Sequence, residues 1–234
     1  GREWLLWPED LRRRREEALQ IQREILEDEI GFWCFVQHQF FRQWQKVRAY
    51  AHVLGIRIIG DIPMYIAMDS ADAWTLTSQL LMDEQCRPTQ VAGVPPDLFS
   101  ETGQLWGNPL YDWEAMKKDD YWWWRHRMAH LSQLYDVIRI DHFLGVARYY
   151  CVPEGAENAM TGEYKPGPGR DLIRIIEEEK GTSAIIAEDL GVPNPEVEKI
   201  LEETGYPGMK VLLFAFDGNP ENPHLLEQQK PNVI

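Results

Sequence analysis

Three short, largely apolar runs in this chain lead straight into an acid. Ile56-Arg57-Ile58-Ile59-Gly60 leads to Asp61, Val137-Ile138-Arg139-Ile140 to Asp141, and Ala184-Ile185-Ile186-Ala187 to Glu188. A strand that carries a carboxylate to its C-terminal end is how a (β/α) barrel presents its chemistry. The pattern predicts parallel strands with Asp61, Asp141 and Glu188 on one rim.

The segments between these runs fit that architecture. Leu11, Ala18, Leu19, Ile25, Leu26 and Ile30 recur at helical spacing, and Gly31 is expected to end that helix. A second helix is predicted from about Phe32 to Leu54 on the spacing of Phe32, Phe35, Val36, Phe40, Trp44, Val47 and Ala51, with Gly55 as its cap. Further helices are expected over Asp120–Tyr135, Asp171–Glu179 and Pro195–Thr204, and a fourth buried strand over Met209–Phe216. Trp122, Trp123 and Trp124 occupy successive helical positions, so at least one should be partly exposed. Between about Pro63 and Tyr111 there is little periodicity. A connection of that length is usually functional or an inserted subdomain. Its densest part is Gly93 to Pro109, with Phe99 and Trp106 as large apolar groups; a self-packed Ω-loop is the plain structural reading.

The expected organisation is a helical segment over residues 1–54, then the central part of a barrel over 55–234 with an inserted loop region at about 62–120. Four strands, each preceded by a helix, are half of what an eight-stranded barrel needs.

Charge and composition narrow the function. A formal net charge of −14 argues against nucleic-acid or anionic-membrane partners and leaves a neutral substrate compatible. The ten Trp, nine Tyr and eight Phe are core material first, and platforms for sugar rings where they lie on loops. Cys34, Cys86 and Cys151 show neither disulfide nor zinc spacing, which fits a reducing cytoplasm. No apolar run approaches the ~18 residues of a membrane span, and no signal peptide is recognisable at the start of the sequence.

The acids suggest a reaction. Retaining glycosidases use a nucleophilic carboxylate and a protonated acid ~5–5.5 Å apart. Tips of neighbouring parallel strands, ~4.8 Å apart, meet that spacing. Arg139 lies two residues before Asp141, hence on the same strand face, where it should favour the ionised carboxylate. Glu188 has no adjacent cation and suits a proton donor. A strand-end acid is also commonly a helix cap, and Asp61, Asp141, Glu188 and His142 are conceivable Mg²⁺ or Zn²⁺ ligands, though no HxH or HExxH spacing supports a metal.

Arg139-Ile140-Asp141-His142-Phe143 and Ala187-Glu188-Asp189-Leu190-Gly191 closely resemble motifs of the amylomaltase family, the 4-α-glucanotransferases or disproportionating enzymes of the α-amylase clan. Gly60-Asp61-Ile62-Pro63 is similar to that family's third-strand segment, and Gly93 to Pro109 to its flexible active-site loop. The resemblance implies an α/β fold, part of a (β/α)8 TIM-type barrel over about strands 3 to 6. It implies Asp141 as nucleophile and Glu188 as general acid/base. It implies sugar contacts for Asp61, Arg139 and His142, with Asp97, Trp106 and Asn108 in the matching loop. No metal or other cofactor is implied. The substrates would be α-1,4-glucans and maltooligosaccharides, with glucose or maltose as acceptor, and the location cytoplasmic.

The family's third carboxylate stands in a His-Asp pair, and no His-Asp dipeptide occurs in this sequence. The expectation is therefore a central fragment, inactive when isolated. An α-glucan hydrolase of the same clan and a silent glucan-binding fragment are the alternatives.

Overall fold

A computed structural model describes residues 3–97, 100–191, 194–229 and 231–234. Phe99, expected among the large groups of the loop, lies outside the described residues. In chain order the elements are α1 (Glu9–Arg12), α2 (Glu16–Ile25), α3 (Glu27–Val53), β1 (Ile59–Ile62), α4 (Ala71–Thr75), β2 (Gln90–Val94), β3 (Gln104–Pro109), α5 (Trp113–Lys118), α6 (Trp122–Leu134), β4 (Val137–Ile140), α7 (Leu144–Ala147), β5 (Arg148–Pro153), β6 (Glu163–Pro166), α8 (Arg170–Glu179), β7 (Ala184–Ala187) and α9 (Pro195–Thr204). The chain divides into two compact units. One comprises 1–56, 65–120 and 150–164; the other comprises 57–64, 121–149 and 165–234.

The second unit is built on a parallel sheet of order β1-β4-β7. Ile59 pairs with Val137, and Val137 with Ala184, so the three strands start level. Ile138, Ile140, Ile185 and Ile186 are buried, as a sheet covered on both faces requires. Helix α8 buries Leu172, Ile173, Ile175 and Ile176 and turns its acids outward. A fully buried isoleucine contributes about 1.5–3 kcal/mol, so this one face outweighs the surface ion pairs of Arg125 with Glu178 and Glu179 that join α8 to α6. Of the three tryptophans on α6, Trp123 and Trp124 are buried and Trp122 is exposed, as the helical spacing demanded. Arg127 stacks over both buried rings, 5.0 and 4.9 Å from their centroids, and donates to the Pro63 carbonyl at 2.7 Å. The tip of β1 is thus tied to α6. At the start of α9, Asn194 Oδ1 accepts from the Glu196 and Val197 amides, and Gly205 ends the helix at φ +70°.

Three expectations are corrected here. Strand β1 begins at Ile59, three residues later than the Ile56 start read from the sequence, because its register is set by pairing with Val137–Ile140. Gly31 does not break a helix; it lies inside the 27-residue α3, and the interruption falls at Leu26. Met209–Phe216 is not a strand. Leu212–Ala215 forms a 3₁₀ turn, and the preceding amides find partners in loops: Lys210 donates to Ile234 O, and Val211 to His224 Nδ1. Leu213 and Phe216 are exposed.

In the first unit β2 runs antiparallel to β3 and to β5, in a sheet of order β3-β2-β5-β6. The stretch from Gly93 to Pro109, given above as an Ω-loop, is largely a hairpin: Gly93 pairs with Leu105 and Val94 with Gln104. Val91, Tyr150, Val152 and Ala159 form its small core, with the Tyr150 hydroxyl donating to Ala159 O at 2.9 Å. Helix α3 exposes Phe32, Phe35, Phe40 and Val47, and none of its residues is buried.

Candidate active site

The ends of β1, β4 and β7, all in the second unit, bring five of the expected residues together. Asp141 and Glu188 directly follow the cross-strand pair Ile140 and Ala187, so they leave neighbouring strands at the same level. The main chain continues the ladder through them. The Asp141 amide donates to Ile62 O at 2.9 Å, and the Glu188 amide to Ile140 O at 3.0 Å.

Arg139 binds two carboxylates. Its Nη1 donates to Asp61 Oδ1 at 2.6 Å and its Nη2 to Asp141 Oδ1 at 2.9 Å. Burial works against the charged guanidinium, but Asp61 and Asp141 outweigh it, and its pKa moves up. Asp61 is placed differently from the sequence reading. It sits within β1, beside Arg139 in register, not beyond the strand end.

Glu188 is held by its backbone surroundings. Its Oε2 accepts from the His142 amide at 2.8 Å and its Oε1 from the Leu190 amide at 2.9 Å. Burial raises its pKa above the ordinary value; those two amides oppose the shift, and the nearby Asp141 charge adds to it. The residue whose amide reaches Glu188 has an unusual backbone: His142 stands at φ +52°, in the left-handed region. Burial pushes the His142 imidazole down to about 4, against the pull of Asp141, so it is neutral at neutral pH.

The remaining expected residues belong to the first unit. Asp97 Oδ1 accepts from the Ser100 amide at 2.9 Å, forming a turn. Trp106 is partly exposed, with Nε1 donating to Gln104 Oε1 at 3.1 Å and its ring 6.3 Å from that of Tyr65. Asn108 Nδ2 donates to Ile66 O at 2.9 Å.

Two residues at the acid cluster were not anticipated. Met209 Sδ accepts from Arg139 Nε, and Asp189 Oδ1 accepts from the Met209 amide. Alternation along β7 would have flagged Asp189 as facing away from Glu188. Nothing local in the sequence marks Met209. Among the described residues, no group of three or more His, Cys, Asp or Glu side chains is arranged to hold a metal ion, and no helix is long and apolar enough to cross a membrane.

A parallel α/β sheet with acids at its strand ends is how a (β/α) barrel presents its chemistry. The comparisons agree. The sequence profile of the family described as 4-alpha-glucanotransferase matches residues 1–234, and this chain belongs to that family. It is 47% identical over 225 residues to the 4-alpha-glucanotransferase of Thermus thermophilus, covering 96% of this chain and 45% of the relative. It is 47% identical over 231 residues to the chloroplastic/amyloplastic 4-alpha-glucanotransferase of Arabidopsis thaliana, covering 99% and 40%. Among solved structures it resembles the amylomaltase from Streptococcus agalactiae in complex with acarbose: TM-score 0.93, 36% identity, 99% of this chain and 47% of that one. That likeness makes the fold a TIM-barrel type. The chain spans about half the length of the relatives it matches.

Proposed function

We propose that this chain carries two catalytic acids of a 4-α-glucanotransferase, Asp141 as nucleophile and Glu188 as acid/base. The observation that carries the reading is their unequal treatment at neighbouring strand ends. Asp141 is paired with a guanidinium, and Glu188 is half-buried with a raised pKa. One carboxyl group held by a guanidinium and a second that burial favours in its protonated form suit a nucleophile and a proton donor.

An Asp141 oxygen attacks the anomeric carbon of an α-1,4-linked glucosyl unit. The bond to the departing 4-oxygen breaks, and that oxygen takes the Glu188 proton. Glu188, now a carboxylate, accepts the proton of an incoming sugar 4-hydroxyl. The new glycosidic bond forms as the bond to Asp141 breaks. Inversion at each step gives net retention. Arg139, Asp61 and neutral His142 contact the sugar hydroxyls at the cleavage point. By the family resemblance, Asp97, Trp106 and Asn108 also contact the glucan, with Trp106 as a ring platform. Neither metal nor cofactor takes part. Donors are maltooligosaccharides and α-1,4-glucans, acceptors include glucose and maltose, and the setting is cytoplasmic. The three parallel strands fall within about strands 3 to 6 of the barrel, entered from a helical segment over residues 1–54.

The test is maltotriose given to the protein expressed from its complete coding sequence. A ladder of longer glucans supports transfer; glucose and maltose alone would support the hydrolase reading instead. The isolated 234-residue chain, assayed beside it, should disproportionate maltotriose at least ~10²-fold more slowly, the usual cost of losing one preorganised charge.

A further inference from the structure

Each nitrogen of the Arg139 guanidinium meets a different acceptor. Nη1 reaches Asp61 at 2.6 Å, Nη2 reaches Asp141 at 2.9 Å, and Nε reaches Met209 Sδ at 3.1 Å. Contacts at the two Nη atoms define only an axis about which the planar group can rock. A third contact at Nε, off that axis, fixes the plane. The third acceptor is a thioether, weak and uncharged. A carboxylate there would draw the cation's field away from Asp141; sulfur sets direction and leaves the charge where it is.

Met209 is itself held. Its amide donates to Asp189 Oδ1 at 2.7 Å. The Asp189 carboxylate lies directly over Gly208, where any Cβ would overlap it. The same segment is fixed to the end of β7, since the Ala187 amide donates to Pro207 O at 2.9 Å. Asp189 therefore fixes Met209, Met209 fixes the plane of Arg139, and Arg139 presents Asp141.

We propose that Met209 is a positioning residue for glucosyl transfer, acting on Asp141 through Arg139, with Asp189 as its anchor. This rests on the roles proposed above for Asp141 and Glu188. The test uses the protein expressed from its complete coding sequence, with Met209→Leu, which keeps the volume and removes the acceptor, and Met209→Gln, which offers an uncharged oxygen. Three quantities are read: the rate of covalent trapping with an activated fluorinated glucosyl fluoride, its concentration dependence, and the hydrogen exchange of the Arg139 Nε–H by ¹⁵N NMR. Met209→Leu should slow trapping at saturation about three- to tenfold, the worth of one hydrogen bond. It should leave half-saturation and the thermal midpoint unchanged and speed Nε–H exchange by a similar factor. Met209→Gln should restore both rates. The proposal is overturned if Met209→Leu traps and exchanges like the wild type, or if Met209→Gln is as impaired as Met209→Leu. A wild type that makes no transfer products would sink the glucanotransferase reading instead, and Nε–H exchange would then decide the Met209 contact by itself.

Discussion

The Arg139 guanidinium, in β4, reaches the Asp141 carboxylate just beyond that strand's end at 2.9 Å. The pairing costs little chain entropy, because the strand already turns both side chains to one face. Lysine at this position could meet one carboxylate but not three acceptors in fixed directions. Arg139→Lys should therefore slow glycosyl trapping by roughly 10²-fold, the cost of a small misplacement of a reacting group. Single-turnover kinetics with a glucosyl fluoride measure it, and a loss confined to substrate affinity would count against positioning of Asp141.

The raised pKa of Glu188 has a kinetic consequence. Transfer from an unactivated glucan needs the protonated carboxyl, so activity should persist above the ordinary carboxylate range and fall only as pH rises through the elevated value. Glu188→Gln should remove that alkaline limb. It should also spare the first step with donors whose leaving group needs no proton, whereas Asp141→Asn should abolish trapping. The reverse pattern would exchange the two roles.

His142 links acid to stability. Its imidazole has an ordinary pKa of 6.5 and is held at about 4 in the folded chain. Between those values the unfolded chain binds the extra proton, so stability is full above about pH 6.5 and is lost as pH falls towards 4. Below 4 both states are protonated and the loss stops. The difference amounts to roughly 3 kcal/mol at 1.36 kcal/mol per pKa unit. His142→Asn keeps a residue tolerant of positive φ and removes the titration. Thermal midpoints of the two forms across pH 4 to 7 should diverge from each other as pH rises, or the buried neutral imidazole is wrong.

Gly60 precedes Asp61 on the inward face of β1, where a Cβ would collide with the Tyr135 ring. Gly60→Ala should destabilise the chain by about 1–3 kcal/mol, as overpacking does. Adding Tyr135→Leu should recover part of the loss, which denaturant titration of the single and double variants would reveal.

The legible parts of the sequence were those whose local signals agreed with their partners. Strands β4 and β7 are apolar runs that end at an acid, and α9 has Asn194 before it and Gly205 after it. Strand β1 was misplaced because Gly60 and Asp61 have no strand preference of their own; Val137 to Ile140 impose it. Strand β2 was invisible for a related reason: Gly93 lies under the Gln104 carbonyl and Val152, a close approach that only pairing explains. The Met209–Phe216 run misled because apolar residues on both faces do not create a strand when the amides are already bound to Asp189, Ile234 and His224. At the site, Asp141, Glu188 and Arg139 could be read from spacing along and between strands. Met209 could not, since its link to Arg139 spans 70 residues and depends on how the chain returns.

The ladder that runs from Ile62 O to the Asp141 amide and from Ile140 O to the Glu188 amide has one more implication. Peptide geometry, which is the same for every sequence, sets how far apart the two acids leave the sheet. Side chains around them, Arg139 first, orient the carboxyl groups but do not set that interval. Substitution at the rim can therefore change how the two carboxyl groups are aimed, while the level at which Asp141 and Glu188 leave the sheet is inherited unchanged from the backbone.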